Sequence, residues 1–161
     1  MTKKSLAMSK AGFSLAIFVT FFLLCAFFFT YGKTAVQEVV EKLQSEPVEN
    51  GTINLSGLGP AFLLVFAGIS LICFALPELL FLISFSGNFA KQGSTKGFTI
   101  VSLIGEIFGV IIMFFFTMFF LEAAGYNIVA IIVTAAFDLL VFVSFIHSIV
   151  VLAKHKNAPT A

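Results

Sequence analysis

The sequence predicts an all-α membrane protein: an up-down bundle of four transmembrane helices with both termini in the cytoplasm. Three observations predict it, namely an apolar composition, four long apolar segments and an uneven distribution of lysines. Apolar residues make up 60% of the 161 residues and charged residues only 11%, whereas soluble domains are about one quarter charged. This composition excludes soluble enzymes, nucleic-acid binders and disulfide-rich secreted domains.

Four segments are long enough to cross the hydrocarbon core of a bilayer, which takes about 20 apolar residues. They are residues 11–31, 60–85, 98–121 and 128–153. Backbone polar groups in lipid must be satisfied within the segment, and these segments are too long for barrel strands, so we predict helices. Because the second and third connections are short, neighbouring helices should run antiparallel within one domain, residues 1–161.

The first segment has an alternative interpretation as a cleaved secretory signal, because Lys3, Lys4 and Lys10 form a basic region before it. However, its apolar stretch is longer than that of a typical signal, and it ends in phenylalanines at 27–29 without a small-residue cleavage site. We therefore expect an uncleaved anchor.

The lysines predict the orientation of the chain in the membrane. One side carries seven lysines and no acid: Lys3, Lys4, Lys10, Lys91, Lys96, Lys154 and Lys156. The other side carries two lysines and five glutamates: Lys33, Lys42, Glu38, Glu41, Glu46, Glu49 and Glu122. The positive-inside rule places the first side in the cytoplasm. We expect an integral protein of a plasma or cytoplasmic membrane, surrounded by the lipid bilayer.

Residues 32–59 form the one sizeable loop, and their pattern predicts a short amphipathic helix on the outer side. Apolar residues recur at helical spacing at Val36, Val39, Val40 and Leu43. This helix could continue the first span, and Pro47 would end it. It either forms a surface for a partner, or it lies on the bilayer or packs against the loop after the third span. We favour the second interpretation.

Two sites in this loop, at Asn50 and Asn54, match the acceptor pattern for N-glycosylation. The Asn50-Gly51 pair is equally typical of a tight turn.

Four ionisable residues lie within the predicted spans, namely Glu78, Glu106, Asp138 and His147. Distances along the helices from the flanking lysines predict that Glu78, Glu106 and His147 share one layer, while Asp138 lies toward the outer half. Asp138 and His147 are nine residues apart, and therefore on opposite faces of the fourth helix. One of them would then need a partner outside the bundle, which favours an oligomer.

Small residues in the third span predict a close helix contact. Gly105 and Gly109 form a ridge that lets another helix approach, and this would place Glu106 at the contact. In the second span, Pro77 removes a backbone hydrogen bond and leaves a carbonyl free near Glu78. The pair predicts either a small-cation or proton site, or a kink that only shapes the bundle.

The buried carboxyls and the imidazole have three interpretations. They could relay protons, bind a divalent metal ion, or act as neutral hydrogen-bonding groups between helices. The last is the simplest, and we expect no metal site and no cofactor. The two cysteines, Cys25 and Cys73, are not paired in a motif and indicate no redox or zinc chemistry.

No arginine and no nucleophile–base pair occurs in the sequence, so catalysis is the least favoured class and we expect no enzyme. The expected function is that of a structural or accessory subunit of a larger membrane assembly, with a membrane-protein partner or a second copy. The alternative is a small proton- or cation-conducting transporter that uses the intramembrane carboxylates.

Overall fold

A computed structural model describes residues 3–45, 58–90 and 96–155, and within these ranges the chain forms four long α-helices. The helices are α1 (Lys3–Ser45), α2 (Leu58–Ala90), α3 (Lys96–Ala123) and α4 (Ile128–His155). Each contains an apolar stretch long enough to cross a membrane. The predictions of an all-α fold and of four helices that could span a membrane are confirmed.

Neighbouring helices run antiparallel. Each of α1 and α3 packs against both α2 and α4. The beginning of α1 meets the end of α2 where Ser14 donates to Ser84 at 3.3 Å. A later part of α1 meets the first half of α2 where the Phe28 ring lies against the position of a Cβ atom on Gly68. In the same way, the end of α3 meets the first half of α4.

Helix α1 is 43 residues long and continues without interruption past the predicted end of the first span. No proline occurs in it, and its last turns contain good helix formers, so nothing in the sequence stops the helix before Ser45. Ala35 still packs against the core, while Val36 and Val40 are exposed. We call residues 36–45, which extend the helix by about 15 Å, the α1 extension.

Two of the valines in the α1 extension, Val36 and Val40, are exposed, whereas Val39 is half-buried. The remainder of the predicted outer segment lies outside the described residues, including Pro47 and the two acceptor sites at Asn50 and Asn54. Lys91 and Lys156 also lie outside them.

Helices α2 and α3 approach each other closely at the two glycines of α3. A Cβ atom on Gly105 would lie 3.1 Å from the Leu80 Cβ and 3.4 Å from the Pro77 carbonyl oxygen. A Cβ atom on Gly109 would lie 3.0 Å from the Phe74 ring. The distance between the two helices therefore depends on the absence of side chains at both positions.

The connection between α3 and α4 is a tight turn. Gly125 and Tyr126 both adopt positive φ, at 58° and 56°, which is uncommon for a tyrosine. The Tyr126 N–H donates to the Leu121 carbonyl at 3.0 Å, satisfying a carbonyl at the end of α3. The Tyr126 hydroxyl donates to Glu122 at 2.8 Å, and this carboxylate raises the pKa of the tyrosine.

The interior of the bundle is divided into two halves of different chemistry. The aromatic half surrounds the later part of α1 and is filled by stacked and edge-on rings: Phe21, Phe28, Phe74, Phe116, Phe120 and Phe137. The polar half lies toward the end of the bundle that carries Lys4, Lys96 and Lys154. Its buried polar side chains are Lys10, Ser14, Ser84, Asn88, Thr99, Ser102, Glu106, Ser144 and Ser148.

Candidate functional site

A buried ion pair lies at the centre of the polar half. The Lys10 ammonium of α1 donates to Oε1 of Glu106 in α3, and both side chains are fully buried. Ser102 donates to the same oxygen at 3.2 Å, as does Ser144 of α4. Lys10 also donates to the Ser144 hydroxyl at 3.0 Å. The cluster therefore joins three helices through one carboxylate oxygen.

Contact between Lys10 and Glu106 stabilises two charges whose burial would otherwise raise the free energy of the folded chain. A single charge at the centre of a membrane helix costs about 3 kcal/mol or more. Here the opposite charges are in contact and are surrounded by hydroxyl donors, which is the arrangement that makes a buried pair tolerable. Among the described residues, Glu106 Oε2 has no hydrogen-bond partner.

A second polar cluster extends from the ion pair toward the lysine-bearing end. Ser14 donates to the Ser84 hydroxyl, which also accepts from the Asn88 amide at 3.1 Å. The same amide donates to the Ser84 carbonyl at 2.9 Å. Asn88 Oδ1 and the hydroxyls of Thr99 and Ser148 are buried without a partner in the described part of the chain. Buried polar atoms of this kind are usually satisfied by ordered water.

Glu78 lies apart from the ion pair although its helix passes nearby. It is 5% exposed, and neither carboxyl oxygen has a hydrogen-bond partner among the described residues. It follows Pro77, whose carbonyl faces Gly105 of α3, so Glu78 and Glu106 are at a similar level, as the spacing predicts. The side chains are not bonded to each other.

The remaining two ionisable residues point to different neighbours. His147 is half-buried; its Nε2 is 3.2 Å from the Ser9 hydroxyl, and its ring lies 4.5 Å from that of Phe13. Asp138 accepts a hydrogen bond from Thr117 of α3 at 2.9 Å. The two residues thus contact α1 and α3 respectively, and each has a partner within its own chain.

The alternative in which Glu78, Glu106 and His147 together hold a divalent metal ion has no support in the geometry. Within residues 3–45, 58–90 and 96–155, no three His, Cys, Asp or Glu side chains come together as metal ligands. The positive charge next to Glu106 is instead that of Lys10.

Lys10 is the site residue that sequence reasoning missed. The charge pattern groups it with the lysines before the first span, and the structure adds that its side chain is fully buried inside the bundle. The signal that distinguishes it is the short apolar run before it: Leu6 and Ala7 are also buried. The helix therefore enters the bundle before position 10, and Lys3 and Lys4 alone precede it.

Comparison with known protein families, with curated proteins and with solved structures finds no match to this chain. The class defined by the fold is a bundle of four helices that could span a membrane, with a three-helix ion-pair cluster in one half.

Proposed function

We propose that the protein is a structural or accessory subunit of a larger membrane assembly and not an enzyme. The observation that carries this proposal is the closed interior of the aromatic half. Phe74, Phe116 and Phe120 are each fully buried there. The rings of Phe116 and Phe120 stack on each other, and rings of α1 contact Phe74 and Phe116. The two buried hydroxyls at this level, Ser70 and Thr134, donate to carbonyls of their own helices.

A closed aromatic half favours a structural role because ions cross a pore only where it is wetted, and an apolar constriction closes a pathway by excluding water. The polar half ends at these rings. The ion pair in the polar half has its counter-charge and two hydroxyl donors within the chain, and it joins α1, α3 and α4 in the way that interhelical polar contacts do in membrane bundles.

Two features of the surface are suited to contact with other proteins of a membrane assembly. The α1 extension stands clear of the bundle, with Val36 and Val40 exposed on it. The flanks of the helices are apolar and suit lipid or other transmembrane helices. We place the lysine-bearing end, with both termini, in the cytoplasm of a plasma or cytoplasmic membrane, because that end carries Lys4, Lys96 and Lys154.

Native mass spectrometry tests this function. Membranes of the source cells are extracted in a mild detergent, and the tagged full-length chain is purified and weighed without denaturation. We expect a complex containing an unlike membrane protein in fixed stoichiometry, unchanged when the detergent is exchanged. A homo-oligomer or a monomer as the main species would contradict the proposal.

The second candidate, a small proton or cation conductor, is favoured by one observation, the unpartnered buried carboxyl of Glu78. In liposomes containing the purified chain, this candidate requires a flux that Glu78→Gln abolishes. The matched control is Glu122→Gln, which removes an exposed carboxyl at the α3–α4 turn. We expect no flux above that of empty liposomes. A flux that depends on Glu78 would replace the accessory function.

A further inference from the structure

Two adjoining grooves run along the outer surface of the bundle, one between α3 and α4 and the other mainly along α3, where Leu63 of α2 also lines it. One has a volume of about 490 Å³ and begins near Val110. The other has a volume of about 420 Å³ and ends near Glu122. Both are lined by Phe114 and Asp138. We call them together the α3–α4 groove; from residue 110 to residue 122 it is about 18 Å long, or slightly more than three turns of helix.

Asp138 is a polar group in an otherwise apolar part of this groove. Its Oδ2 accepts from Thr117 at 2.9 Å, and Oδ1 has no partner among the described residues. A carboxylate accepts up to about four hydrogen bonds, and lipid chains supply none. The hydrogen-bonding capacity of Asp138 Oδ1 is therefore unused unless another molecule supplies a donor.

The described part of the chain supplies no free lysine at the level of Asp138. Lys10 already forms an ion pair with Glu106. His147 lies nine residues after Asp138 on the opposite face of α4, with its Nε2 3.2 Å from the Ser9 hydroxyl. In a second copy of the same chain, Lys10 and His147 would be engaged by the same partners. A donor to Asp138 Oδ1 would therefore come from an unlike molecule, and a basic group would supply both a hydrogen bond and a positive charge.

The position of Asp138 part-way along the groove indicates the kind of molecule. A single-headed lipid has its polar group at one end, at the membrane surface, with only chain beyond it. A transmembrane helix can place one basic side chain in the middle of an apolar surface, so its shape and charge both match.

We propose that the α3–α4 groove binds a transmembrane helix of an unlike membrane protein, with a basic side chain of that helix paired to Asp138. This inference rests on the proposed accessory function and names the chemistry of the partner.

A synthetic peptide provides the probe. The full-length chain is reconstituted in phosphatidylcholine vesicles with a dye-labelled transmembrane peptide of leucine and alanine that carries one central lysine, and binding is followed by energy transfer. The comparison peptide has leucine in place of the lysine. We expect the lysine peptide to bind about tenfold more tightly, and Asp138→Asn to abolish that preference.

Two matched variants test the site. Glu78→Gln removes a buried carboxyl outside the groove and should leave the preference intact. Ala135→Phe fills the groove and should weaken binding of both peptides, whereas Ala75→Phe on the exposed face of α2 should not.

Equal binding of the two peptides to the unchanged chain, or a lysine preference that survives Asp138→Asn, would overturn the inference. Native mass spectrometry of the Asp138→Asn variant distinguishes failure of this inference from failure of the proposed function. An unlike partner that remains bound to Asp138→Asn upholds the accessory function and removes the groove as its site. If the unchanged chain is isolated without an unlike partner, the accessory function is contradicted, regardless of how the two peptides bind.

Discussion

Replacing Lys10 with methionine should lower the free energy of unfolding by about 3–5 kcal/mol, the usual cost of removing one partner of a buried ion pair. Methionine retains most of the apolar stem of lysine, so packing changes little. What is lost is the ammonium that donates to Glu106 Oε1 and to Ser144. The carboxylate is then left in a low-dielectric interior with two hydroxyl donors and no counter-charge.

The measurement is unfolding in mixed micelles with increasing dodecyl sulfate, followed by far-ultraviolet circular dichroism. The matched control is Lys4→Met, on the same helix but exposed, which should change stability by less than about 0.5 kcal/mol. The double variant Lys10→Met with Glu106→Leu should recover most of the loss, because no uncompensated charge remains. Equal stability of the two methionine variants would contradict the structural role of the pair.

Replacing Gly105 with leucine should cost about 1–3 kcal/mol, the range for overpacking a tightly packed contact. The first atom of the new side chain would lie 3.1 Å from the Leu80 Cβ and 3.4 Å from the Pro77 carbonyl oxygen. Neither is the movable end of a side chain, so α2 and α3 must separate to admit it. This separation would also disturb the hydroxyl cluster around Glu106.

The same substitution at Gly12 is the control, because a Cβ atom there has no atom within 4 Å. Gly12→Leu should be neutral or slightly stabilising, since leucine favours a helix more than glycine does. Both variants can be compared in the dodecyl sulfate titration. If they unfolded at the same dodecyl sulfate fraction, close packing of α2 on α3 would not limit stability.

Hydropathy predicts the number and position of the helices because a membrane imposes a length and a composition on each span. The four segments predicted from 11–31 to 128–153 all lie within helices α1 to α4. The end of α1 was harder to place, because both a continuing helix and a separate one satisfy the pattern of valines after residue 32. Nothing in a single sequence states how far a helix extends once it leaves the bilayer.

The site was predicted only in part, for a physical reason. Glu106 and the glycine ridge are recognisable because a carboxyl and small residues stand out among apolar neighbours. Lys10 is not, because a lysine close to a span end is normally able to extend its amine to water. Its burial depends on contacts with Glu106 and Ser144 of α3 and α4, and the short apolar run before Lys10 is a local signal of burial that does not identify those partners.

The separation of Lys10 from its partners along the chain has a consequence for synthesis. Lys10 is 96 residues before Glu106 and 134 before Ser144. At a translation rate of about 5–20 residues per second, roughly 5–20 s pass before Glu106 is made. During that interval the first helix holds an amine whose counter-charge does not yet exist, and its position near the helix start allows the amine to stay in water. We therefore expect the Lys10 amine to become buried only after the third helix has been made.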